Sequence, residues 1–287
     1  MSAAGWRFAL SPRWLGYLAL VLVFATACVL LSRWQFDRRE ERVEANHRIE
    51  RNYDLEPRPL AEVLPEPGGY DREQEWTPVL LHGRYLAEEQ LLVRARPHQG
   101  MPGFEILVPF RTDEGRVFVV DRGWLPQGNE QDEPDEVPTP PAGDVTVVAR
   151  LKAGEPEIPG RSAPPGQIAT IHLPEFAERL SGERVDTGAY GLLAVESPGS
   201  GGAQARTGAL APRPVLSEGN HLSYAFQWLV FALIAALGLA WGIRNEYRHR
   251  NPDDPRVLAA RRRQRERRAR RGRSDAEEED ELIDAGR

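Results

Sequence analysis

One cysteine, one lysine and two methionines are all that 287 residues contain of those three types. The single cysteine, Cys28, lies inside an apolar run, so no disulfide framework is available and every domain must fold on its own core. Lys152 leaves arginine to carry nearly all the basic charge, a bias read here as that of a GC-rich genome. Catalytic signatures are also missing. No phosphate-cradling P-loop, dinucleotide glycine fingerprint, HExxH zinc helix or GxSxG elbow occurs, which removes the motif-based case for an enzyme. His47, His82, His98, His172 and His249 are scattered without metal-ligand spacing, so a structural zinc site is not expected. An exported enzyme or ligand sensor would need a polar pocket that the sequence does not reveal.

What is present is two long apolar blocks, hidden by a negative mean hydropathy of −0.50 and a net charge of −6. Residues 14–31 approach the ~20 residues a bilayer core requires. Ala25-Thr26-Ala27 before Cys28 imitates a cleavage site, but Val29-Leu30-Leu31 continues the apolar run, which favours an uncleaved anchor. Residues 222–243 form the second block, with Trp228 and Trp241 toward its ends. The arginine-dense tail at 244–287 places the C-terminus in the cytoplasm by the positive-inside bias. Two spans then bring residues 1–13 to the same side. Arg33, Arg38, Arg39 and Arg42 oppose this orientation, but Glu40, Glu41 and Glu44 dilute them. The expected arrangement is a multi-pass plasma-membrane protein with both termini cytoplasmic and residues 32–221 outside. The basic stretch adjoins a span, so its nearest polyanion is anionic membrane lipid, and no nucleic-acid partner is expected.

Between the spans, 33–51 reads as a charged helix with Glu and Arg at neighbour spacings, ended by Pro57, Pro59, Pro65 and Pro67. β-rich runs follow at 79–85, 90–96, 104–111, 116–124, 144–151, 168–173 and 189–196, separated by turn-forming sequence. Asp113-Glu114-Gly115 is a hairpin turn. A short helix fits 174–180, with Pro174 in its first turn. The acidic, proline-rich 127–143 reads as an exposed loop, and the Gly/Ser/Ala-rich 197–208 as a mobile linker. The fold class is therefore a membrane protein in which two transmembrane helices flank a β-rich extracytoplasmic domain, an antiparallel sheet or barrel with minor α.

The strongest functional clue is His221, at the mouth of the second span. An imidazole there can ligate a metal, a haem iron or a lipid phosphate, or it can simply cap and anchor the helix. On a helix starting near Asn220, Tyr224, Ala225 and Trp228 stand at i+3, i+4 and i+7 from it. That face suits a flat macrocycle with an axial imidazole, and equally an interfacial aromatic belt. Ala232 with Ala236, and Gly238 with Gly242, give small-residue spacings that let another helix approach, either a partner's or the first span's. Arg122, flanked by Asp121 and Trp124 at the end of an apolar strand, can bind a carboxylate such as a haem propionate or fix the strand end in a local ion pair.

Taken in order, several motifs resemble those of the SURF1 family of cytochrome c oxidase assembly factors. They are Trp34-Gln35-Phe36-Asp37-Arg38-Arg39 after the first span, Gly83-Arg84-Tyr85, Pro102-Gly103-Phe104 through Pro109, Val120-Asp121-Arg122-Gly123-Trp124-Leu125-Pro126 and Asn220-His221-Leu222-Ser223-Tyr224-Ala225-Phe226-Gln227-Trp228. The resemblance runs from about residue 15 to residue 244. It implies a helper in building haem–copper oxidase, acting near haem a delivery to the catalytic subunit, with oxidase subunits and the haem a synthesis machinery as partners. It also implies transient haem a ligation by the histidine matching His221. The insert at 197–212 and the tail at 244–287 depart from the family's pattern. A cofactor-free subunit that stabilises the oxidase or a respiratory supercomplex is the alternative.

Overall fold

The structure, a computed structural model, describes residues 5–199 and 205–271. Part of the expected linker and the acidic end of the tail lie outside them. In chain order the elements are α1 Pro12–Asn52, β1 Arg58–Pro59, α2 Leu60–Val63, β2 Pro78–Tyr85, β3 Leu91–Val93, β4 Gly103–Thr112, β5 Arg116–Pro126, β6 Val145–Ala153, β7 Gln167–Ile168, α3 Leu173–Arg179, β8 Arg184–Val185, β9 Ala189–Pro198, α4 His221–Arg250 and α5 Pro255–Arg271. They fall into two compact units, Glu41–Glu218 and the described residues of Met1–Glu40 with Gly219–Arg287. Residues 32–40, assigned from sequence to the outer domain, therefore cluster with the helices.

In the helical unit, α1 and α4 are each long and apolar enough to cross a membrane. The charged helix expected at 33–51 is the continuation of α1 beyond its apolar stretch. Covered positions on α1 lie a heptad apart at Trp14 and Val21 and then step by threes and fours: Ala25, Cys28, Ser32, Gln35 and Arg39 are buried or half-buried. On α4 the same rhythm covers His221, Ala225, Trp228, Ala232, Ala235, Leu239 and Gly242. A 3.5-residue repeat is what keeps one narrow seam of a helix facing a partner. The pairing is antiparallel. Gln35 meets His221 at one end, the Phe36 and Phe226 rings meet edge to face at 6.1 Å, and the Trp14 ring lies over Gly242 at the other end. Away from the seam, Leu20, Val23, Leu233 and Ile234 are each more than half exposed. Such a girdle of apolar surface matches a lipid surround.

The other unit is built on a closed five-stranded barrel. The circuit runs β2–β6–β9–β5–β4 and back to β2, with β5–β9 the one parallel contact within it. β1, β3, β7 and β8 add short extensions. Closure happens at Gly83, which pairs with Val145 of β6 and Thr112 of β4. Its φ is +148°, and a Cβ there would stand 2.1 Å from the Arg111 carbonyl oxygen, so only glycine lets the two strands meet.

Alternation explains the apolar runs of β4 and β5. Ile106, Val108, Phe110, Phe118 and Val120 fill the barrel with Val79, Leu81, Val147 and Leu151. Their neighbours Leu107, Val117 and Val119 face outward into a second core closed by Leu173 and Phe176 of α3. With both faces buried, these strands have no polar alternation to show. The expected strand at 90–96 shortens to β3 because Ala95 turns to φ +58°. That at 168–173 shortens to β7, as Ile171 and Leu173 pack into the second core instead. The expected internal pairing of the charged stretch is partly replaced: Arg51 bonds Glu73 at 2.5 Å, and Asn52 donates to the carbonyls of Glu73 and Glu75.

One buried charge pair ties the barrel together. Arg122 of β5, 0% exposed, grips Glu196 of β9 with two bonds of 3.0 and 2.9 Å and also donates to the Pro138 and Arg206 carbonyls. Its guanidinium also lies 5.3 Å from the Tyr85 ring centre. Just beyond Arg206, the described part of the expected mobile linker is pinned to β5: Gly208 donates to the Arg122 carbonyl, and Ala209 exchanges two bonds with Trp124.

Two outcomes follow from this packing. Glu196→Gln leaves a buried guanidinium without its counter-charge and is expected to cost about 3–5 kcal/mol in urea unfolding, whereas the double change Arg122→Met with Glu196→Leu costs clearly less. Gly242→Leu pushes into the Trp14 ring, which stands 3.3 Å from a Cβ at that position, and is expected to lower stability by about 1–3 kcal/mol. Gly238→Leu enters open space and should leave the melting temperature in detergent unchanged.

Candidate functional site

At the start of α4, Gly219 takes the left-handed backbone at φ +68° and hands the chain to Asn220, the residue before the first helical turn. His221 follows as the first helical residue, half-buried on the seam. Its Nδ1 lies 2.8 Å from the side-chain oxygen Oε1 of Gln35. With the Gln35 amide oxygen facing the ring, the contact is made by the ring donating from Nδ1. Neutral His221 then carries its proton on Nδ1 and keeps the lone pair on Nε2, an assignment made from the bonding network. That nitrogen lies beside Gly219, where a Cβ would come within 3.3 Å of Nε2 and 3.2 Å of Cδ2. A side chain at 219 would crowd that edge of the ring. A hydrogen bond on one ring nitrogen and an open lone pair on the other is how a histidine is prepared to ligate a metal.

The structure separates the residues that spacing grouped with His221. Ala225 is fully buried and Trp228 half-buried on the seam, with Trp228 edge to face on Phe231 at 5.9 Å. Tyr224 is 50% exposed and lies off it. The reason is the seam's rhythm: from His221 a 3.5-residue stripe selects the fourth and seventh residues on and skips the third. The expected face of His221, Tyr224 and Trp228 therefore reduces to His221 and Trp228. The small residues divide in the same way. Ala232 and Gly242 lie on the seam, while Ala236 and Gly238 are exposed.

Arg122 belongs to the other compact unit, inside the barrel, and its fork is committed to Glu196. Of the two uses read from sequence, the structure shows an ion pair, with Glu196 rather than the adjacent Asp121 as the partner. Asp121 instead accepts the Gly123 N–H at 2.9 Å. Burial and the nearby Glu105 raise its carboxyl to about 7, with the Gly123 bond opposing. Arg96, which donates to Glu155 at 2.5 Å and lies in ion-pair contact with Glu105 at 3.0 Å, completes this charge cluster. Among the described residues, no three or more His, Cys, Asp or Glu side chains group to hold a metal ion. Sequence reasoning missed Gln35 as a site residue. Its signal was the shared 3.5-residue register of the two apolar blocks, which places Gln35 and Trp14 on one stripe.

Comparison with known proteins bears on the same residues. The model of the SURF1 family matches residues 22–233, a stretch that includes both Gln35 and His221. SURF1-like proteins of Mycobacterium tuberculosis (strain ATCC 25618 / H37Rv) and Mycobacterium bovis (strain ATCC BAA-935 / AF2122/97) are each 31% identical over 265 residues, 88% of this chain and 94% of theirs. The cytochrome oxidase assembly protein SHY1 of Saccharomyces cerevisiae is 29% identical over 113 residues, 38% of this chain and 28% of its own. With its two apolar helices flanking a β-barrel domain and the family match spanning most of its length, the chain belongs to the SURF1 family.

Proposed function

We propose that the protein assists assembly of haem–copper cytochrome c oxidase and holds haem a transiently through Nε2 of His221 while the catalytic subunit is loaded. Family membership and the name of the yeast relative support the assembly role, and an assembly-factor family favours a non-catalytic one. The observation that carries the haem reading is the Gln35–His221 hydrogen bond, with the space left open at Gly219. The residues fit the group: a neutral imidazole with a lone pair on Nε2 could hold its iron, and Trp228 on the same seam offers an aromatic surface. His221 would hold haem a there, and the group would supply an iron able to take this lone pair. Gln35 sets the ring's tautomer and orientation, and Gly219 keeps the approach clear. A single ligand residue suits transfer better than permanent retention. In this reading the protein spans the plasma membrane twice, with both termini cytoplasmic and the barrel domain outside, in contact with oxidase subunits and with the machinery that makes haem a.

A second reading, a cofactor-free subunit that stabilises the oxidase, is favoured by Ala236 and Gly238. Both look away from the seam, where a partner helix can approach. Titrating the purified full chain in detergent with haem separates the two readings. A Soret shift is expected that His221→Ala abolishes and Gln35→Leu weakens by about tenfold or more. A shift that survives unchanged in His221→Ala overturns the haem reading, and oxidase co-purification indifferent to haem then favours the second.

A further inference from the structure

At the far end of the helical unit from His221, α4 runs past its apolar stretch to Arg250, and α5 follows after a short turn. The turn is tightly bonded. Tyr247 donates its hydroxyl to Asp254 at 2.6 Å, and Asp254 in turn accepts the Arg256 N–H at 2.7 Å, directly ahead of Pro255 at the first helical position. Asn251 and Val257 are buried beside it. The result is a cleft of about 580 Å³ walled by Arg248 of α4 and by Arg256, Arg263 and Arg267 of α5, with Ala259 and Ala260 on its α5 side. The small alanines leave room where longer side chains would fill the space.

These four guanidinium groups have no acidic partner within salt-bridge distance among the described residues. Two nearby acids pair with other arginines, Glu246 with Arg250 at 2.8 Å and Glu266 with Arg262 at 3.2 Å, while Asp254 is bonded within the turn, in the field of Arg256. Four guanidinium groups lining one cleft without a salt bridge among the described residues suit an external anion, and the guanidinium fork matches phosphate oxygens.

A separate observation sets the depth of the cleft. Trp6 stacks on Tyr247 at 4.2 Å, Arg250 lies over Phe8 at 5.3 Å, and Trp14 meets Tyr17 edge to face at 5.5 Å. Aromatic residues gathered at the end of a span mark the headgroup layer. Arg248 is five residues beyond Ile243, about 7.5 Å along the helix. Below it, Leu237 and Trp241 expose apolar surface on which acyl chains can lie.

We infer that this cleft is a binding site for the phosphate headgroup of an anionic phospholipid. The site gives the arginine-rich tail a defined role: it clamps the end of α4 at the membrane surface through one lipid, in addition to any diffuse attraction between its charge and the bilayer.

The test uses native mass spectrometry of the full chain in detergent, with phosphatidylglycerol, phosphatidylcholine or inorganic phosphate added. Phosphatidylglycerol is expected to be retained in preference to phosphatidylcholine. The triple change Arg256→Gln, Arg263→Gln and Arg267→Gln should reduce that retention by about tenfold or more, as should Arg248→Gln alone to a smaller degree. Changing Arg261, Arg262 and Arg265 to Gln removes the same charge from the other face of α5 and should leave retention intact. Glutamine matches arginine closely in helix propensity, so α5 should form in every variant, and circular dichroism checks this. Equal loss in both triple variants would show diffuse charge attraction and overturn the site. Retention of inorganic phosphate with no preference between the lipids would overturn the lipid as its occupant.

Discussion

The helical unit depends on one constraint, a seam with a 3.5-residue repeat shared by α1 and α4. Its contacts at Gln35–His221 and at Trp14–Gly242 lie 21 residues, three heptads, apart on each helix, so one register satisfies both ends. Small residues populate the middle of the seam, with Ala25, Cys28 and Ser32 on α1 and Ala225, Ala232 and Ala235 on α4. Because water drives none of this packing in a bilayer, fit along the seam and the polar contact at its end must hold the pair together. The same register decides which side chains can act. It turns His221 toward Gln35, buries Ala225, and leaves Tyr224, Ala236 and Gly238 to the surroundings.

The barrel unit solves a different problem. Without a disulfide it must be closed by its own hydrogen bonds and core, and closing a barrel from only five strands demands sharp local geometry. Gly83 supplies that geometry where β2 leaves β6 for β4. Inside, Arg122 and Glu196 bond two strands that are themselves neighbours in the circuit, and Arg116 pairs with Asp186 in a second buried ion pair. Breaking either pair by removing one partner strands a charge in the core, so these residues behave as a unit. The motif around Arg122 is thus explained by folding.

Much of this was legible in the residues. Turn chemistry and β-rich runs located the five barrel strands to within about three residues, and the length of the two apolar blocks located both helices. Closure into a barrel was left open between sheet and barrel, because it rests on the β2–β4 contact across the circuit, which leaves no local signal beyond one glycine. The continuous apolar stretches of β4 and β5 carry no alternation, so a second core under α3 could not be read from them. For the site, His221 stood out by its position at a span's mouth. Its partner did not, since Gln35 lies 186 positions away, and a reading at i+3, i+4 and i+7 on one helix cannot see a seam shared by two. The same local reading placed Tyr224 with His221, whereas tertiary packing turned it outward.

The proposed haem site turns on Gln35 holding His221 with its proton on Nδ1 and its lone pair free on Nε2. Nitrogen-15 NMR of the histidine-labelled full chain in detergent, at a pH where the ring is neutral, reads this directly. The Nδ1-protonated tautomer is expected for His221, with its loss to a mixture in Gln35→Leu. An Nε2-protonated ring in the unmodified protein, unaffected by Gln35→Leu, would contradict it.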